Sequence, residues 1–263
     1  MTQSRVSIVG AGIKIPDHMT IEGLSVLQSC DEVWTVLQES PQTWSLTKNC
    51  TAKVHKLTDD YSSNERRSVN YQSAVQRMVN RALQGYHICH LTYGNPTYFD
   101  SVCAGLIEQC EISQVSCKLY AGVSSFDLVF NELEKDTAPG VLVLEVNRFL
   151  AEQKSVSPDV SVLLTQVGLL ERSIHAPASA TYGGKLAPLV DAITDLFGSE
   201  HQVSLVRSTN RASGENGFVK SMPIEHLSRV SEGFLLGSSL FVPARKMHSK
   251  HKTKEPHGLS KDY

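Results

Sequence analysis

The chain has 263 residues, 41% of them hydrophobic, enough to bury a substantial core in one large domain or two small ones. Its 25 Lys and Arg against 27 Asp and Glu leave a formal charge of -2, which excludes a global basic field for nucleic acid. Six cysteines, Cys30, Cys50, Cys89, Cys103, Cys110 and Cys117, form no Cys-x-x-Cys pair and read as free thiols of a reducing compartment rather than a zinc site or disulfide framework.

Val6–Val9 reads as a strand that ends in Gly10-Ala11-Gly12. A helical pattern begins near Thr20 with Ile21, Leu24 and Leu27, and Glu32–Leu37 is a second strand, which makes a βαβ opening. Asn64-Glu65 starts a helix through Leu83, with Val69, Ala74, Val75, Met78, Val79 and Ala82 on its apolar side and Gly85 as its stop. Arg66, Arg77 and Arg81 on that helix read as a solvated face. His87–Thr92 is a third strand; a helix over Tyr98–Cys110, a short strand at Cys117–Leu119 and a helix over Ser124–Glu134 complete an alternating α/β half.

Asp136–Gly140 breaks the pattern. Strands at Val141–Leu144 and Val160–Val167, a helix around Leu186–Leu196, and strands at Val203–Val206 and Ser239–Val242 follow. The last strands are expected to form hairpins, so this half should hold a mixed sheet. The expected organisation is an N-terminal α/β domain over 1–137 with a catalytic helix region at 61–84, a C-terminal α/β domain over 138–244 and a flexible basic tail over 245–263. The N-terminus shows no secretory signal and no window is apolar enough to span a bilayer, so a cytoplasmic protein without membrane segments is expected.

Gly10-x-Gly12 after a strand resembles the opening of a dinucleotide fingerprint, but Ile15 stands at the third glycine and Asp31 lies before the second strand rather than at its far end. Three more loops follow strands at the edge where open α/β sheets place ligands: Tyr93-Gly94-Asn95-Pro96, Ala121-Gly122-Val123-Ser124-Ser125 and Gln166-Val167-Gly168. Ser124 also has the character of a helix N-cap, and the two roles are compatible.

Taken together, these loops and the two-domain length resemble the tetrapyrrole-methylase class of S-adenosylmethionine-dependent methyltransferases over nearly the whole chain. The resemblance implies two α/β domains with the cofactor folded in the cleft between them and no pyrophosphate to hold, so the missing third glycine costs nothing. It implies cofactor contacts from Gly10, Gly12, Tyr93, Gly94, Pro96, Tyr98, Phe99, Val123, Ser124, Ser125 and Gln166, with Arg207, Ser208 and Thr209 near the adenine. The product would be S-adenosylhomocysteine, and no metal is implied. The residues agree on the last point: His87 and His90 flank one strand, and His175, His201 and His226 lack mutual spacing.

Within that class, Tyr61, Arg67 and Tyr71 match the Tyr, Arg and Tyr spacing of the borosin peptide backbone α-N-methyltransferases, and Tyr93 matches the tyrosine that opens the family's Tyr-Gly-x-Pro turn. Asn95 and Thr97 depart from the His and Gly expected there. The chemistry suits such a site. An amide nitrogen is a very weak acid, and a phenol that ionises near pH 10 becomes a usable base when a cation such as Arg67, one helical turn away, favours its anion. Tyr71 is the candidate base, tuned by Arg67, and Tyr61 and Tyr93 are candidate donors to the substrate carbonyl oxygen. The plainer reading of Arg67 and Tyr71 is a surface stacking pair.

The resemblance further implies a homodimer and iterative N-methylation of a ribosomally made precursor peptide. Fused members carry an apolar acceptor peptide at their C-terminus, whereas residues 245–263 here are polar, so the precursor is expected as a separate chain, the split arrangement. Two other readings stand beside this one: a methylase of a small molecule or tetrapyrrole macrocycle on the same fold, and a cofactor-binding interaction module without turnover. Tyr61, Arg67 and Tyr71 favour the peptide, because macrocycle methylation does not demand them.

Overall fold

In a computed structural model, the structure describes residues 5–37, 40, 43, 46, 48, 52–62, 65–170, 186–209 and 216–245. The expectations for Cys50, Asn64, His175 and the tail beyond Arg245 lie outside these residues.

The first sheet is built from β1 (Arg5–Gly10), β2 (Glu32–Thr35), β3 (Lys53–Lys56), β4 (His87–Thr92) and β5 (Ser116–Tyr120), in the order β3-β2-β4-β1-β5 with every pairing parallel. Parallel strands need cover on both faces, and their sequences are apolar on both sides for that reason. Helices α2 (Arg67–Leu83) and α3 (Ser101–Ile112) cover one face, packing Ala74, Met78, Val79, Val102 and Leu106 against Val6, Ile8 and Ile88. Helix α1 (Ile21–Ser29), whose Thr20 hydroxyl caps Gly23 N at 3.0 Å, brings Leu27 to the other face against Val9, Val33 and Leu91. The predicted solvated arginine face is partly spent on structure: Arg81 is bound to the buried carboxylate of Glu32, and Arg77 pairs with Asp60 at 2.6 Å.

Helix α4 (Ser125–Leu133) starts with a capping box between Ser124 and Asp127. The second sheet comprises β6 (Val141–Glu145), β7 (Ser161–Thr165), β8 (Gln202–Arg207), β9 (Phe218–Pro223) and β10 (Ser239–Val242), in the order β6-β7-β10-β8-β9. β6 and β7 are parallel and the other pairs antiparallel, so the sheet is mixed, as the sequence predicts. On one face, α5 (Val146–Glu152) and α6 (Ala187–Phe197) bury Phe149, Leu189 and Ile193 against Leu164, Leu205 and Leu240. The other face receives Val129 and Phe130 of α4 against Leu163, Val206 and Phe241. The chain break expected at 137 thus falls after a helix that packs on the second sheet. Among the described residues, no helix is long and apolar enough to cross a membrane.

Of the elements named above, β3, β9 and α5 have no counterpart in the sequence reading, and the short helix Glu232–Leu235 has none either. β3 and β9 are edge strands whose side chains are mostly exposed or half-buried, so they carry no apolar alternation to read.

Because the first sheet is parallel, the loops after all five strands emerge at one edge. Three of them touch backbone to backbone. A Cβ on Gly10 would lie 2.5 Å from Gly94 O and 2.7 Å from Gly122 N, and one on Gly122 would lie 2.6 Å from the carbonyl oxygens of both Gly10 and Gly94. Gly122→Ala is therefore expected to cost ~1–3 kcal/mol as an overpacked contact. Urea unfolding with an unchanged m-value reads the loss; an unchanged midpoint would mean that the loops part freely.

Candidate active site

The unread edge strand β3 is what delivers Tyr61. It runs through one 3-10 turn, Leu57–Asp60, with Leu57 fully buried as its anchor, and releases the chain at Tyr61 beside the start of α2. Asn70, buried in α2, then clamps the next residue with both ends of its amide: Ser62 N donates to Asn70 Oδ1 at 3.0 Å, and Asn70 Nδ2 donates to Ser62 O at 2.9 Å.

Arg67 opens α2 and Tyr71 follows one turn later on the same face. Arg67 Nε donates to Tyr71 Oη at 3.0 Å, with the guanidinium carbon 5.7 Å from the Tyr71 ring centre. The Tyr61 and Tyr71 rings meet edge to face, centroids 5.8 Å apart. Tyr93 stands on the turn after β4, 40% exposed. All four residues line a single cavity of about 2110 Å³.

Its opposite wall comes from the second sheet: Thr165 at the end of β7, Gln166 and Gly168 just beyond it, Arg207 and Ser208 after β8, and Leu236–Ser239 leading into β10. Gln166 and Phe99 both hold left-handed backbone, φ +56° and +57°, and Gln166 Nε2 donates to Phe99 O at 3.4 Å. Two non-glycine residues strained in this way on facing walls mark a place where geometry has been preferred over stability. The Ser208 hydroxyl and the Tyr98 phenol are buried with no hydrogen-bond partner among the described residues. Both belong to cavity-lining residues, and unsatisfied polar atoms at a cleft wall are groups that a bound molecule can satisfy.

Of the residues the resemblance assigns to the cofactor, Tyr93, Tyr98, Phe99, Ser125, Gln166, Arg207 and Ser208 line this cavity. Pro96 lines a smaller adjoining cavity of about 470 Å³ with Phe99 and Gln166. Gly10, Gly12, Gly94, Val123, Ser124 and Thr209 line neither. Gly10 and Gly94 are occupied in the loop junction, and Gly12 holds φ +71° where a Cβ would lie 2.2 Å from His18 Cβ. The Ser124 hydroxyl serves the α4 cap, and Thr209 Oγ1 accepts from Gly217 N at 3.0 Å. Arg207 also ties the 233–236 turn, donating to Gly233 O at 3.0 Å and Leu236 O at 3.4 Å. The departures Asn95 and Thr97 form an Asx turn: Asn95 Oδ1 accepts from Thr97 N at 3.0 Å, and Asn95 Nδ2 donates to Gly122 O at 3.2 Å.

Burial, reinforced by the neighbouring Tyr71 and Asp100, pushes the Tyr61 phenol well above its ordinary value, against the opposing pull of Arg67. Burial and then Asp127 do the same to Tyr98. Tyr61 is therefore held as a neutral O–H donor, whereas the hydrogen bond from the guanidinium falls on Tyr71. Asn70 and Asp100 belong to this site and escape sequence reading. An asparagine one residue before Tyr71 carries no motif, and Asp100 falls inside the helix expected over Tyr98–Cys110, whereas it caps the observed α3.

A family model described as Tetrapyrrole (Corrin/Porphyrin) Methylases matches residues 5–203. The chain is 26% identical over 199 residues to a methyltransferase/ribosomally synthesized type I borosin cyclic peptide precursor of Serendipita vermifera subsp. bescii, covering 75% of this chain and 48% of that one. It is 27% identical over 204 residues to the methyltransferase/ribosomally synthesized cyclic peptide omphalotin A precursor of Omphalotus olearius, covering 75% and 47%. It thus spans about half the length of the curated relatives it matches. Among solved structures, a cobalt precorrin-4 methyltransferase superposes with a TM-score of 0.63 at 16% identity, covering 91% of this chain and 95% of that one, which shows a shared fold.

The two raised phenols fix the sign of an alkaline effect. Above the ordinary tyrosine value of 10.0, the unfolded chain releases protons that folded Tyr61 and Tyr98 keep, so stability falls as pH rises. Replacing both by phenylalanine removes that loss, and the midpoint of unfolding on alkaline titration, followed by circular dichroism, is expected to move upward. An unmoved or lowered midpoint would contradict the assignment.

Proposed function

The chain belongs to the tetrapyrrole methylase family, and from that premise we propose that it transfers methyl groups from S-adenosylmethionine to backbone amide nitrogens of a peptide. The observation that carries this reading is the hydrogen bond from Arg67 Nε to Tyr71 Oη, beside Tyr61 and Tyr93, in a cavity of about 2110 Å³. That volume is at least twice the ~300–1,000 Å³ of an ordinary small-molecule pocket, room for a donor and an acceptor together. The orphaned Ser208 and Tyr98 hydroxyls and the two-sided lining fit a polar, folded cofactor such as the methyl donor this family uses. When bound, S-adenosylmethionine supplies a methyl group on a positive sulfonium, a leaving group that needs no further activation.

The chain's residues then divide the remaining work. Tyr71, as the phenolate that the Arg67 guanidinium favours by donating to Oη, accepts the amide proton and is left a neutral phenol. Tyr61, kept neutral by burial, and Tyr93 donate to the substrate carbonyl oxygen and so stabilise the imidate-like charge that develops there. Asn70 holds Tyr61 in register with Tyr71 through its two bonds to Ser62.

The borosin relatives are precursors that carry the methyltransferase and the peptide in one chain. We take the acceptor to be a separate peptide, methylated iteratively by a homodimeric enzyme. The reading is checked by co-expressing the chain with the short peptide of a neighbouring reading frame and measuring intact mass. Gains in steps of one methylene, placed on backbone nitrogens by fragmentation, are expected. Gains on side chains, or methylation of a macrocycle in place of the peptide, would overturn it.

A further inference from the structure

Behind the turn that carries Tyr93, three side chains of different donor type converge. His90 on β4, Asp100 at the N-cap of α3 and Cys103 in its first turn each offer a ligand atom, and these atoms lie within 4.8 Å of one another. His90 and Cys103 have no exposed surface, and Asp100 lines the main cavity. Asp100 adds to the upward push on the Tyr61 phenol, and His90 and Cys103 have no part in the proposed methyl transfer.

The imidazole is already oriented as a ligand. Its partner at 3.0 Å is the Trp34 carbonyl, which can only accept, so Nδ1 carries the proton and Nε2 is a bare lone pair. Nε2 is buried and has no hydrogen-bond partner among the described residues. A backbone carbonyl that takes one imidazole N–H and leaves the other nitrogen free is the outer-shell arrangement found behind metal-bound histidines. The carboxylate is oriented too: Asp100 Oδ1 accepts from Val102 N at 2.9 Å and Cys103 N at 3.0 Å, and Oδ2 accepts from the Thr92 hydroxyl. Oδ1 spends both lone pairs on these two amides, which leaves Oδ2 as the atom that can take another partner.

We propose that His90, Asp100 and Cys103 bind one divalent late first-row transition metal ion of zinc's class. Nitrogen, oxygen and sulfur donors in one small buried space match the borderline softness of that ion rather than magnesium or calcium. With bonds of ~2.0–2.3 Å, tetrahedral ligand atoms stand roughly 3.5 Å apart, so the trio has to contract by on the order of 1 Å. A turn of the Asp100 carboxylate toward the ion supplies that movement and gives up the bond from the Thr92 hydroxyl to Oδ2. The bond to the ion forms as Cys103 Sγ gives up its proton to solvent. The ion joins the end of β4 to the start of α3, the two ends of the 93–99 segment, and so stiffens the turn that presents Tyr93.

The site needs neither methyl donor nor peptide, so it is tested without turnover. The full chain, stripped with a chelator, is titrated with cobalt(II) as a spectroscopic probe and then with zinc. One equivalent of cobalt is expected to give a thiolate-to-cobalt charge-transfer band with tetrahedral d–d absorption, abolished by zinc, and zinc is expected to raise the melting temperature. Cys103→Ser is expected to lose the charge-transfer band while keeping the histidines of the tail and its circular dichroism spectrum; His90→Gln is expected to weaken binding at least tenfold. No thiolate band in the unaltered chain would show the trio to be a hydrogen-bonded plug only. A band that persists in Cys103→Ser would place the thiolate elsewhere. Either result overturns the proposal.

Discussion

The functional reading depends on one hydrogen bond, in which Arg67 Nε donates to Tyr71 Oη. Without it the Tyr71 phenol has no cation donating to its oxygen, and the proposed base loses what favours its anion. The bond is possible because the two residues lie one turn apart at the head of a helix whose other face is locked into the core by Ala74, Met78, Val79 and Ala82. The packing of four apolar side chains therefore sets the rotation of α2 and with it the direction in which the arginine and tyrosine point. A small rotation of α2 would redirect both groups relative to Tyr61, which β3 brings to the site and Asn70 of α2 ties there through Ser62.

Two further constraints bring the rest of the cleft to this pair. The first is the parallel sheet, whose strands release their loops at a single edge. The second is the contact of Gly10, Gly94 and Gly122, which draws three of those loops together until no side chain fits between them. The turn that carries Tyr93 is fixed from below by this junction and by the Asn95 Asx turn on Gly122 O. Across the cleft, the mixed sheet contributes strained Gln166 and buried Ser208. The two halves divide the cavity: the residues proposed to handle the proton arise from the first, and most of the facing polar wall from the second.

Much of this was legible in the sequence because strands with buried faces and an amphipathic helix write their burial into their residues. β1, β4 and β7 read as apolar runs, α2 showed its period, and Arg67 and Tyr71 could be placed on one face from spacing alone. The glycines were legible as turns but not as to purpose. Gly10 and Gly94 read as places where a cofactor approaches, and the structure adds that loops approach each other there. Edge strands β3 and β9 left no pattern because their side chains remain largely in solvent, so the route that brings Tyr61 to the cleft was not visible. Asn70, and the convergence of His90, Asp100 and Cys103, depend on contacts between a strand, a turn and a helix, which no linear spacing encodes.

The central claim is that Tyr71, addressed by Arg67, takes the amide proton, while the donor is held by other residues. The most direct measurement compares methyl transfer to the peptide and S-adenosylmethionine affinity in the unaltered chain and in Tyr71→Phe. The account predicts a donor dissociation constant within about twofold and a single-turnover rate lower by ~10²–10⁴-fold, the span of a lost general base. Full turnover in Tyr71→Phe with the donor still bound would contradict it.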